Sequence, residues 1–117
     1  MSLEKNNQKI LLLIDKNERL ELSEIDQFKQ LLFDCDINIS GNQRETPLMF
    51  LLSYNKSYNI NIDNQTIFKL LKKSNLNQQD SSGCYLAYYL IFYNKCEFKL
   101  SQNKIMYLLK KADLNIK

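Results

Sequence analysis

Leu31-Leu32-Phe33-Asp34-Cys35-Asp36-Ile37-Asn38 is the stretch that decides the fold, because the chain writes its pattern twice more. Leu-Leu-Lys-Lys-Ser-Asn-Leu-Asn runs from Leu70 to Asn77, and Leu-Leu-Lys-Lys-Ala-Asp-Leu-Asn from Leu108 to Asn115. The closing asparagines stand 39 and 38 residues apart. Self-similarity at a period of about 20–50 residues marks a repeat array, in which each unit buries its apolar face on its neighbours. Such arrays act mainly as extended binding surfaces.

Working outward from the second copy gives a whole unit. Thr46-Pro47 opens a helix, the hydroxyl capping free amides and Pro standing where no amide is needed. Leu48 to Leu52 form its apolar body. Lys56 to Asn61 read as a loop, and Asp63 as the cap of a second helix. In that helix Ile67, Phe68, Leu70 and Leu71 make a stripe at helical spacing. Lys72 and Lys73 end it, where cations suit the macrodipole. A polar stretch from Asn75 to Gly83 leads to the next unit.

The other units match. Tyr54-Asn55-Lys56 recurs as Tyr93-Asn94-Lys95, and the lead-ins Leu20-Glu21-Leu22-Ser23, Ile60-Asn61-Ile62-Asp63 and Phe98-Lys99-Leu100-Ser101 share one pattern. Ser23-Glu24-Ile25-Asp26 reads as a capping box with Asp in place of Glu. The opening helix of the first unit, aligned on Ile10 to Ile14, has no evident cap. Three helix pairs are predicted: 7–16 with 24–33, 46–55 with 64–73, and 85–94 with 102–112. The lead-ins also read as very short strands, but four residues are few for a sheet, and extended plugs between helices are preferred.

With 117 residues the chain is expected to form one domain, with units over 7–38, 46–77 and 85–115. Two glycines and one proline argue against disorder and against a turn-rich β architecture. Residues 1–58 carry a net charge of −2 and residues 59–117 one of +5. The basic half would attract an acidic partner, yet without Arg clusters or a nucleic-acid motif it is a weak sign of nucleic-acid binding. Cys35, Cys84 and Cys96 form no C-x-x-C pair and there is no His, so no metal or other cofactor is expected. An odd cysteine count without a secretory segment predicts an intracellular, cytoplasmic setting. The run Ile10 to Ile14 is too short for a membrane span.

The units resemble the ankyrin repeat. Ala112-Asp113-Leu114-Asn115 is similar to that family's turn after the second helix, and Thr46-Pro47-Leu48-Met49 to its Thr-Pro-Leu-His helix start. Asp80-Ser81-Ser82-Gly83 resembles its hairpin, with Tyr85-Leu86-Ala87 in the place of Thr-Pro-Leu. The period of 38–39 exceeds the family's usual 33, the surplus lying between the two helices of a unit. Asp34, Lys73 and Lys111 replace the helix-ending Gly, at a cost if those positions need a left-handed backbone. Arg44 replaces the hairpin Gly of the second unit. The resemblance implies an all-α, ankyrin-like solenoid of three helix-turn-helix repeats joined by hairpin-like loops. A tetratricopeptide or HEAT-like array is the structural alternative.

No catalytic constellation is visible: there is no His, and Gly41 and Gly83 stand apart rather than in a phosphate-binding loop. An enzyme is not expected. Asp26, Asp34, Asp63 and Asp80 fall at caps and turns, where carboxylates have structural work. Cys84 sits near a helix N-terminus with no activating neighbour in sequence. Tyr85, Tyr88, Tyr89, Phe92 and Tyr93 crowd one short helix; Leu86, Ala87, Leu90 and Ile91 supply a buried stripe, leaving Tyr85, Tyr89, Phe92 and Tyr93 toward the other side. Phe50 and Tyr54 match one unit earlier. In proteins of this look the first helices and hairpin tips line a concave face. The resemblance therefore implies a non-catalytic module that binds a protein partner through Gln43, Arg44, Phe50, Tyr54, Gln79, Ser81, Tyr89 and Tyr93.

The last helix keeps the full interior pattern of Ile105, Met106, Leu108 and Leu109, where a terminal unit is expected to be polar. Either further repeats or another chain would cover that end, so self-association through it is the second expectation. Binding to an anionic surface or nucleic acid is the third.

Overall fold

The computed structural model describes residues 2–16 and 18–112. They form six helices: α1 (Leu3–Asp15), α2 (Leu22–Asp34), α3 (Pro47–Tyr54), α4 (Asn64–Lys73), α5 (Leu86–Tyr93) and α6 (Gln102–Ala112). α1 packs on α2 and α5 on α6, α3 lies against both α1 and α5, and α6 also meets α4. Among the described residues there is no strand, only isolated bridges between Gln79 and Tyr85 and between Asn94 and Phe98. The lead-ins are plugs: Leu20, Ile60, Phe98 and Leu100 are all buried.

Local chemistry explains the helix starts. Thr46 Oγ1 accepts the Met49 amide at 3.2 Å, and the Met49 sulfur lies 3.5 Å from the Thr46 amide, where the resembled family has a histidine. Asp63 accepts the Thr66 amide, and Ser101 the Lys104 amide. Two expectations fail. α1 begins earlier than residue 7 and does have a cap, Ser2, which accepts the Lys5 amide. The extra turn is held by Asn6, a polar residue buried beside Ile10, Leu13 and Ile14, whose amide donates to the Asp34 carbonyl. α2 starts at Leu22, with Ser23 inside it. The Glu24 carboxylate, fixed by Lys16 at 2.8 Å, accepts the Glu21 amide instead.

The helix ends need no glycine. The residues after α2 and α4, Cys35 and Ser74, are extended, with φ −112° and −91°. The chain turns on side chains instead: Asp36 accepts the Asn38 amide and Asn75 the Asn77 amide, at 3.0 and 3.1 Å. No left-handed cost arises at Asp34 or Lys73. The two turns are joined, since Asn38 Oδ1 accepts the Asn75 amide at 2.8 Å and its carbonyl accepts from the Gln78 side chain at 2.7 Å. The third turn, Asp113-Leu114-Asn115, lies outside the described residues.

In the second and third units the surplus between paired helices is braced by an asparagine. Asn55 bonds both the amide and the carbonyl of Ile62, and Asn94 both those of Leu100. Left-handed backbone concentrates in these loops, at Asn59, Asn61 and Lys95.

The core draws residues from all six helices. Every residue from Pro47 to Ser53 of α3 is buried, because α3 has neighbours on both sides. Each fully buried Leu there contributes about 1.5–3 kcal/mol. On α5, Leu86, Ala87 and Leu90 are buried as expected, but Ile91 is 49% exposed. Ile91 and Phe92 lie on a side of α5 that no described helix covers.

Candidate functional site

The hairpins that precede α3 and α5 are copies of one another. Gly41 N–H donates to Glu45 O and Arg44 N–H to Gly41 O; 39 residues on, Asp80 N–H donates to Cys84 O and Gly83 N–H to Asp80 O. The copies meet edge to edge, as Ser81 N–H donates to Gln43 O and the Ser81 hydroxyl to Gln43 Oε1, both at 2.9 Å. Gln43, Arg44, Gln79 and Ser81 are all exposed, so this join makes a continuous polar rim.

Each hairpin is tied down by a carboxylate. Asp80 accepts the Ser82 and Cys84 amides at 2.9 Å and the Tyr89 hydroxyl. Burial pushes the Asp80 carboxyl up, but the bonds from Tyr89, Cys84 and Ser82 outweigh it and hold it below its ordinary range. The Tyr89 phenol is pushed up by burial and by its bond to Asp80. Gly41 occupies the matching place in the first hairpin and has no side chain, so Asp15 of α1 supplies the carboxylate. It accepts the Asn42 amide at 3.0 Å, packed so closely that a Cβ at position 41 would collide with it.

Beside the rim stand the aromatic residues. Tyr54, Tyr89 and Tyr93 are half-buried, with the Tyr89 and Tyr93 rings 6.1 Å apart. Phe50 is not surface, as expected, but core: it is 4% exposed and packs on Phe28, with ring centroids 5.1 Å apart. It faces a neighbouring pair rather than open solvent because α3 is central. Phe92, at 66% exposure, is turned outward.

Two residues of this face escaped the sequence reading. Tyr58, in a loop that reads as polar, stacks on Tyr54 at 4.2 Å with 9° between the rings, and Arg19 lies 5.4 Å from its centroid. A lone aromatic in a polar loop was the available signal. Glu45 is half-buried beside the Thr46 cap, and burial, with Asp80 and Asp15 nearby, pushes its carboxyl up to about 7. Ile14, Glu18, Glu45, Phe50, Tyr54 and Tyr58 line a small, partly open cavity of about 100 Å³, with Glu18 at its exposed edge.

Among the described residues no three His, Cys, Asp or Glu side chains lie close enough to hold a metal, and no helix is long and apolar enough to cross a membrane. No protein-family model matches the chain, and no curated protein or solved structure is detectably similar to it.

Proposed function

We propose that the chain is an ankyrin-like array of three helix pairs serving as a non-catalytic protein-interaction module. Its partner docks on the face that carries the joined hairpin rim and the tyrosines of α3 and α5. The observation that carries this reading is the Ser81–Gln43 join. It lines up exposed polar side chains from two units beside half-buried tyrosines, and polar rims next to aromatic side chains are the anatomy of protein interfaces. The helix contacts and the 39-residue recurrence of hairpin, turn and asparagine brace support the array.

Affinity capture tests it, with wild type, Tyr93→Ala and Lys72→Glu run side by side and folding checked by circular dichroism. Lys72 lies on α4, over the Phe68 ring. A partner kept by Lys72→Glu and lost by folded Tyr93→Ala supports the reading; the reverse pattern moves the site to the α4 side.

A second reading, association through the third unit, is favoured by the exposure of Ile91, Phe92, Met106 and Tyr107, at 49, 66, 51 and 53%. Apolar exposure of this kind marks interaction surfaces. Sedimentation of wild type against Phe92→Ser tests it: concentration-dependent dimers lost in the variant support it, and a strict monomer removes it.

A further inference from the structure

The cavity between α1 and α3 has the wrong chemistry for a packing defect. Voids left by imperfect packing are apolar and dry. This one holds two carboxylates, and among the described residues neither the Glu18 nor the Glu45 side chain has a hydrogen-bond or ion-pair partner. The neighbouring cations are committed elsewhere: Lys16, which feels the Glu18 charge, pairs with Glu24 at 2.8 Å, and the Arg19 guanidinium donates to the Ser57 carbonyl at 2.9 Å and lies against Tyr58. Glu45 is therefore a half-buried acid with no hydrogen-bond partner among the described residues, and withdrawing a carboxylate from water without a partner is costly. A perturbed carboxylate lining a cleft is a candidate functional site.

The shape narrows the ligand. A water takes about 30 Å³ of liquid, so a cavity of about 100 Å³ has room for roughly three, or for the end of one alkyl-ammonium chain. The aromatic wall is closed upon itself. Tyr54 and Tyr58 stack on one another, Phe50 packs 5.0 Å from Tyr54, and Arg19 lies against Tyr58. A methylated ammonium, which needs open ring faces, is poorly served. A primary ammonium, with three N–H donors for two carboxylates, is well served.

We infer that this cavity is a lysine pocket: a lysine side chain of the protein partner enters between Glu45 and Glu18, its methylenes against Phe50 and Tyr54 and its ammonium on the carboxylates. The inference rests on the reading that the partner docks on this face, and it assigns that partner a basic chemistry. The acidic surroundings agree, since Asp15 and Asp80 stand near enough to Glu45 to raise its proton affinity. A docked ammonium would relieve that repulsion and stabilise the ionised carboxylate.

The test is a titration of the isotope-labelled chain with n-butylammonium, followed by the resonances of Glu45, Tyr54 and Tyr58, alongside n-propylguanidinium and tetramethylammonium. The expected result is saturable, millimolar binding of n-butylammonium confined to this cavity. Glu45→Gln weakens it by about tenfold, and the other two cations bind less tightly. Absence of saturation, equal binding by Glu45→Gln, or tighter binding of either other cation would overturn the assignment. Failure here with partner capture still lost in Tyr93→Ala rejects the lysine pocket and leaves the interaction face standing. Capture unaffected by Tyr93→Ala rejects the face itself.

Discussion

The Asp15 carboxylate fills the space that a side chain at Gly41 would need, and from there accepts the Asn42 amide. One helix thus supplies to the first hairpin what Asp80 supplies to the second from within. Gly41→Ala forces Asp15 aside and breaks its bond to Asn42, at an expected cost of about 1 kcal/mol. In an Asp15→Ala background the same substitution should be nearly neutral. Urea denaturation of the four proteins of this cycle measures the coupling, and additive effects would disprove the fit.

Arg44 carries a left-handed backbone, φ 55°, at a position comparable to Gly83, φ 85°. A residue with a Cβ is strained there by about 1–2 kcal/mol. Glycine removes the strain but adds entropy to the unfolded chain. Arg44→Gly should therefore raise the unfolding free energy by about 0.5 kcal/mol, and Gly83→Ala should lower it. Thermal melts of both variants check the opposite signs.

Glu97 binds the loop of the preceding unit through three contacts, from the Lys56 amide, the Ser57 amide and the Ser57 hydroxyl, at 2.9, 2.8 and 2.6 Å. Burial raises its carboxyl, but the Ser57 and Lys56 bonds outweigh it and bring it below the ordinary 4.5. A depressed carboxylate adds stability above its unfolded pKa and loses it as pH falls through the folded one. Glu97→Gln should cost about 1–2 kcal/mol at pH 7, with the deficit shrinking below pH 4.5. Chemical denaturation at pH 7 and pH 3.5 measures both.

Glu45 behaves in the opposite sense. Its folded pKa of about 7 exceeds the ordinary 4.5, so its favourable contribution is complete below pH 4.5 and is lost as pH rises through about 7. Asp15, Glu18, Arg19, Tyr54, Tyr58, Asp80 and Tyr89 are the ionisable groups around it. Glu45→Gln mimics the protonated acid. After discounting for its partial exposure, the variant should gain on the order of 1–2 kcal/mol over wild type at pH 8 and almost nothing at pH 4.5. A pH-independent difference would place Glu45 in solvent.

The caps Thr46, Asp63 and Ser101 were legible in sequence because each acts on an amide three residues away. Ser2 caps the Lys5 amide at the same spacing, but the helix was aligned on Ile10 to Ile14 and its largely polar first turn carried no apolar stripe. Asn6 was not legible, because its role depends on Asp34, which meets α1 only after α2 has folded back upon it. Phe50 and Ile91 were misplaced for a related reason. A stripe of apolar residues shows which side of a helix is apolar, but not where its neighbours stand: α3 lies between α1 and α5, whereas α5 has another first helix, α3, on one side only. Glu45 left no trace at all. A glutamate ahead of Thr-Pro reads as solvated, and only the convergence of Ile14, Phe50 and Tyr58 half-buries it.

The bonds from Asn38 to Asn75 and Gln78 use one unit's side chain and carbonyl against the next unit's amide and side chain. Asn77 repeats the Asn38 pattern, so the second unit ends with the kind of connector on which it was received. A 39-residue cassette spliced in after Asn77 would therefore find a matching socket on either side. On the proposed array reading, length is a quantity open to duplication and deletion, and rim length grows or shrinks with it.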